Sequence, residues 1–159
     1  MTAEASSLSL DTQSADVTQL FSFRVGEQKY ALDILRVQEI RRWEQCTKLP
    51  HAPEEVRGVI NLRGAIVPVV DLRLRFGCEA SYLPTTVIVI VRVLNGPKEK
   101  IVGVVVDAVL DVFTTNQEQI HDCPDIGVPG GLDFVTGMVK QAEDMLIVID
   151  VDEMLGHDN

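Results

Sequence analysis

Two stretches of this chain match each other at one fixed spacing. Gly58 meets Gly137, the run Ile66 to Val70 meets Met145 to Ile149, and Asp71 meets Asp150, all 79 positions apart. Further upstream the spacing is 72, pairing Ala31 with Gly103, Val37 with Val109, Glu39 with Asp111 and Ile40 with Val112, and Arg24 meets Arg92 at 68. The spacing changes where hairpins and loops differ in length. Such self-similarity means that one unit is used twice. Setting aside a tail of about 18 residues, the 159-residue chain leaves about 70 per unit, near the lower size limit for independent stability. The two units are therefore expected to lean on one another.

The unit reads as β structure. The chain has 23 Val and 11 Ile against 8 aromatic residues, and β-branched side chains suit a pleated, half-buried surface better than a helix. Leu20 to Val25 and Tyr30 to Ile34 flank Gly26, which predicts a hairpin. Val37 to Ile40 extends toward Trp43, and Gly58 to Leu62 turns at Arg63-Gly64 into Ala65 to Val70. Pro68 lacks a ladder donor, which points to an edge strand or a bulge there. Thr86 to Leu94 and Lys100 to Val106 flank Asn95-Gly96-Pro97 and form a second hairpin. Asn116 to Leu132 reads as a long polar loop with one helical turn, and Phe134 to Val139 and Met145 to Ile149 close the pattern. Asp71 and Asp150 precede short apolar segments and suit helix N-caps. The fold class is all-β: two small barrels, the first over about 19–82 and the second over about 83–157, behind a disordered tail at 1–18.

Several function classes fall away. A net charge of −10 lacks the positive field that nucleic-acid binding needs. The first sixteen residues carry no Lys or Arg and no apolar core, so they do not read as a signal peptide. Val87 to Val91 is as long as any apolar run in the chain, and it is far short of the ~20 residues that cross a bilayer. Cys46, Cys78 and Cys123 are too scattered for a metal site or a disulfide framework, and His51, His121 and His157 have no ligand spacing. No nucleophile elbow, dinucleotide fingerprint or P-loop occurs. Nothing points to a catalytic residue, a metal or a cofactor. Glu39 and Arg63 are charges beside apolar strands, equally compatible with a salt bridge closing the first barrel and with a partner contact. Asp122 to Ile126 displays an apolar residue in an acidic loop, which suits packing or a protein contact.

Three segments carry a resemblance. Asp33-Ile34-Leu35-Arg36-Val37-Gln38-Glu39-Ile40, Arg57-Gly58-Val59-Ile60-Asn61-Leu62-Arg63-Gly64 and Ile66-Val67-Pro68-Val69-Val70-Asp71-Leu72-Arg73 closely resemble the CheW family of chemotaxis coupling proteins, and Val102 to Asp107 agrees. The resemblance runs from about Gln19 to Leu155. It implies two five-stranded SH3-like barrels and a non-enzymatic adaptor, cytoplasmic and monomeric in isolation, with ring assembly left open. Its implied partners are the cytoplasmic tip of transmembrane chemoreceptors and the regulatory domain of the histidine kinase CheA, in membrane-associated arrays. The implied receptor groove comprises Val37, Glu39, Gly58, Arg63, Gly103, Val109 and Val112, and the implied kinase contacts are Val87, Val89, His121, Asp125 and Ile126. In that last loop the chain departs from members with a basic residue and an aromatic. Competing readings are an adaptor of a non-flagellar array, which belongs to the same class, and a small-ligand-binding barrel, which a deep polar pocket would favour.

Overall fold

The computed structural model describes residues 17–122 and 134–156. Strands β1 (Val17–Val25) and β2 (Gln28–Asp33) form the first hairpin, and a 3₁₀ turn (Ile34–Arg36) leads into β3 (Val37–Arg42). Next come β4 (Val56–Leu62), β5 (Ala65–Asp71) and helix α1 (Leu72–Arg75). The second half repeats the order with β6 (Val87–Asn95), β7 (Lys98–Val106) and β8 (Ala108–Asn116), a 3₁₀ turn (Gln117–Gln119), β9 (Ile120–His121), β10 (Val135–Gln141), β11 (Asp144–Ile149) and helix α2 (Val151–Leu155). Asp71 and Asp150 cap the two helices, each side chain accepting from backbone N–H groups of the first turn. The all-β class holds. The tail is shorter than expected, since Val17 and Thr18 already pair with Asn116 and Thr115.

The strand pairing corrects the expected division at residues 82 and 83. One sheet runs β8-β1-β2-β11-β10-β9 and the other β3-β6-β7-β5-β4. Each barrel therefore takes its leading hairpin from one half of the chain and its other strands from the other half. The joins are β1 to β8 and β3 to β6, both antiparallel, and β2 to β11 and β5 to β7, both parallel. Periodicity reports which residues are alike, whereas pairing depends on which edges meet after each crossover. The hairpins have been exchanged.

Closure is alike in both. The chain beyond β3 reaches β4 through a two-way backbone pair of Thr47 and Val59, with both N–H···O distances 2.9 Å. Beyond β8 it bends through the 3₁₀ turn and meets β10 as β9, with His121 opposite Met138. The six-stranded sheet is thus a five-stranded barrel with one strand broken. Both closures occur beside a register shift at matched glycines, Gly58 and Gly137. A Cβ on Gly58 would lie 2.1 Å from the Thr47 carbonyl oxygen, and its φ of +134° is one that side-chain-bearing residues avoid.

Three apolar clusters follow from this exchange. Ile60, Leu62, Val67, Val69, Ile88, Ile90 and Val105 fill the five-stranded barrel, while Leu20, Ala31, Phe113, Val139, Leu146 and Val148 fill the other. A larger cluster joins Phe21, Phe23 and Val25 to Val89, Val91, Val93, Val102, Val104 and Val106, with Leu72, Val151 and Met154 from the two helices. Strand β6 sends Ile88 and Ile90 into its barrel and Val89, Val91 and Val93 into the shared core. Burial on both faces explains why Val87 to Val91 has no polar alternation. Pro68 is not on an edge strand, because β5 lies between β4 and β7. It does precede the first residue paired with β7, Val69, so it occupies a stretch with one neighbour instead of two.

Candidate functional site

Strands β3 and β8, matched in the repeat, end the five-stranded and six-stranded orders respectively. A strand in that position pairs along one side and keeps the other for turns, closures or partners. On β3 the residues alternate between half-buried and exposed, with Glu39 half-buried and Ile40 exposed. Arg63 reaches Glu39 from the turn between β4 and β5, with Nη2 donating to Oε1 and Nη1 to Oε2 at 3.4 Å. Arg41 Nη1 adds a weaker approach to Glu39 at 3.7 Å. Hydrogen bonding from Arg63 holds the Glu39 carboxyl below its ordinary pKa, and the same bond raises that of Arg63. The two charges left open by the sequence therefore pair with each other. The Arg63 side chain remains 65% exposed, so its outer face is available to a partner. On β8, Val109, Leu110 and Val112 are exposed beside Asp111. An apolar strip with a charged rim is a surface suited to protein contact.

The other expected receptor residues stand differently. Val37 is half-buried and packs on the shared core. Gly58 is the closure glycine, and Gly103 lies inside the sheet, where a Cβ would meet Ile88 Cγ2 at 2.8 Å. Both glycines are buried and closely packed. Of the expected kinase residues, Val87 is half-buried opposite Val106, and His121 is exposed on β9. Val89 is corrected: it is 1% exposed in the shared core, because alternation along β6 turns it inward. Asp125 and Ile126 lie outside the described residues.

Sequence reasoning missed a buried ionic cluster. Asp71, beyond its capping role, accepts from Arg73 Nε at 2.9 Å and from Arg57 Nε at 2.9 Å. Arg73 also donates to the Asp107 carboxylate at 3.2 Å and to the Ser81 carbonyl. Asp107 in turn accepts from the Gly26 N–H at 2.7 Å, in the turn of the exchanged hairpin. The Tyr82 ring stacks on Trp43 with centroids 4.6 Å apart and lies beneath the guanidinium groups of Arg57 and Arg73. Burial pushes the Asp71 carboxyl upward, but hydrogen bonds from Arg73 and Arg57 outweigh it and hold the pKa below the ordinary value. A usable signal existed in the sequence: Arg73 follows an apolar strand and its cap in a helix too short to have a solvent face of its own.

Among the described residues no group of three or more His, Cys, Asp or Glu side chains could hold a metal ion. A cleft of about 320 Å³ opens at the end of the six-stranded barrel, lined by Asp33, Arg36, Asp150 and Asp152 among others. Its charges are already engaged: Asp33 and Asp150 cap a turn and a helix, and Arg36 pairs with Asp152 at 2.6 Å. No helix among the described residues is long and apolar enough to cross a membrane.

Comparison with known proteins decides the family: residues 19–159 match the CheW-like domain. The chain belongs to the CheW-like family. It is 41% identical to a chemotaxis protein CheW of Klebsiella aerogenes over 84% of this chain and 78% of that one. It is 39% identical to a chemotaxis protein CheW of Rhizobium meliloti over 86% of each. The crystal structure of the scaffolding protein TtCheW from Thermoanaerobacter tengcongensis superposes with a TM-score of 0.75 at 34% identity, covering 84% of each chain. As a CheW-like chain it is a non-catalytic scaffold of chemotaxis signalling. The family segments quoted above now have physical roles. Gly58 permits barrel closure, Arg63 pairs with Glu39, and Asp71 with Arg73 forms the buried cluster.

Proposed function

We propose that this chain bridges the cytoplasmic tip of a chemoreceptor and the regulatory domain of the histidine kinase CheA, and that it joins membrane-associated arrays through those partners. The observation that carries the reading is the pair of matched end strands. β3 presents Ile40 with the Glu39–Arg63 pair, and β8 presents Val109, Leu110 and Val112, all apolar side chains a soluble chain would otherwise bury. A helical receptor tip offers apolar anchors to such strips, and the ion pair sets its orientation. His121, exposed on β9 at the closure of the six-stranded barrel, is assigned to the kinase side.

Val112→Asp and Arg63→Glu test the receptor side without touching the core, since Val112 is 46% exposed. Titrating each folded variant with a receptor-tip fragment should show at least about a tenfold loss of affinity. Wild-type affinity in both variants would remove the receptor assignment. His121→Glu should weaken binding to the kinase regulatory domain and leave receptor binding unchanged. Sedimentation with receptor-containing membranes, with and without kinase, reads out array recruitment.

A further inference from the structure

We propose that the hairpin exchange made within one chain can also be made between two, so that a second copy of this chain completes both barrels when the linker between the halves is held open. Every pairing that joins a leading hairpin to the rest of its barrel crosses between halves: β1 to β8, β2 to β11, β3 to β6 and β5 to β7. Among the described residues, a half has no strand pairing between its own hairpin and its own remaining strands. The covalent tie between halves is the segment 76–86, which contains neither helix nor strand. If that segment opens, the first half of one copy meets the second half of another through the same registers, and only the linker changes. The result is a closed two-fold dimer.

The linker is folded back and pinned, which favours the single chain. Arg73, in the helix just before it, and Thr85, near its far end, both reach Asp107: Arg73 Nη1 lies 3.2 Å from the carboxylate and Thr85 Oγ1 donates to the backbone carbonyl at 2.7 Å. In between, the Ser81 carbonyl accepts from Arg73 and the Tyr82 ring stacks on Trp43. A tether this short gives the halves of one chain a high effective concentration for each other, so exchange needs either a stiffened linker or released pins.

Both conditions can be imposed on the full chain. Residues 77–84 replaced by eight prolines form a spacer of about 25 Å, at about 3.1 Å per residue, which cannot return both ends to Asp107. Thr18→Cys and Thr115→Cys, opposite each other in the β1–β8 register, report the pairing by disulfide formation with the native cysteines replaced by serine. With the natural linker the crosslink should lie within one chain. In the proline variant, light scattering should give twice the chain mass and non-reducing electrophoresis an interchain crosslink. With the natural linker and Tyr82→Ala plus Thr85→Val, refolding from denaturant at high concentration should raise the interchain fraction above that of the otherwise identical chain. A folded monomeric proline variant with an intrachain crosslink overturns the proposal. Failure of that variant to fold overturns it equally, because a second copy would then not have completed the barrels. An unchanged interchain fraction in the released-pin variant overturns the role given to the pins.

Discussion

The chain passes between its two sheets twice, and the crossings are the same junction built with opposite charges. At the first, Arg36 pairs with Asp152 on α2; at the second, Asp107 pairs with Arg73 on α1, and Arg73 and Asp152 are themselves matched at the spacing of 79. In each case the aspartate also accepts from a hairpin backbone N–H at 2.7 Å, Asp107 from Gly26 and Asp152 from Leu94. Arg75 donates to the Met154 carbonyl at 3.0 Å, so matched positions of the two helices touch directly. What differs is water. The Arg73 side chain is fully buried, whereas the Arg36 and Asp152 side chains are about a quarter exposed. A duplicated device has become a buried cluster at one crossing and a solvated clamp at the other, so the cost of breaking it should differ sharply.

Removing one partner of each junction tests this most strongly. Arg73→Met leaves Asp71 and Asp107 buried without their shared cation and should cost about 3–5 kcal/mol, read as a shift of the denaturant midpoint. Asp152→Asn at the solvated crossing should cost about 1 kcal/mol or less. Equal losses would break the comparison. The closure glycines come next. Gly58→Ala combines a positive φ with a clash on backbone and should cost about 3 kcal/mol, more than Gly137→Ala, which meets the His121 carbonyl oxygen at 2.6 Å without the positive φ.

A pH series sharpens the electrostatic part. The folded pKa of Asp71 is depressed, so its stabilisation is fully present above the unfolded carboxyl value of about 4 and is lost as pH falls through the folded value. The stability gap between wild type and Asp71→Asn should therefore be flat near neutrality and shrink in acid. A gap that widened in acid would contradict the cluster's charge state. Smallest of all, Arg63→Ala at the exposed pair should leave stability essentially unchanged, although receptor binding falls. A large loss of stability there would mean that the pair closes the barrel instead of facing a partner.

Local structure was legible in the sequence because its causes are local. The hairpin at Gly26, the turn at Arg63-Gly64 and the caps at Asp71 and Asp150 each follow from a few adjacent residues, and all are present. The duplication was legible too, including the matched glycines. The exchange of hairpins was not, because the repeat spacings are the same whether β1 and β2 pair within their own half or with β8 and β11. That ambiguity propagated to the site. The resemblance implies Val89 as a partner contact, but the exchange places a second apolar layer over β6 and turns Val89 into core. The partners of Arg73 were hidden for the same reason. Its partners Asp107 and Gly26 come from the crossover and from the other barrel's hairpin, neither of which is near it in sequence.

If the hairpins are exchanged, the barrels share their largest core and should not unfold separately. Trp43, the single tryptophan, packs on the core of the five-stranded barrel, whereas β10 and β11 belong to the six-stranded one. Equilibrium denaturation followed at once by Trp43 fluorescence and by hydrogen exchange of the β10 and β11 amides tests the point directly. Coincident transitions with one midpoint are predicted. Two separated midpoints, with one barrel persisting after the other has melted, would contradict the exchanged architecture.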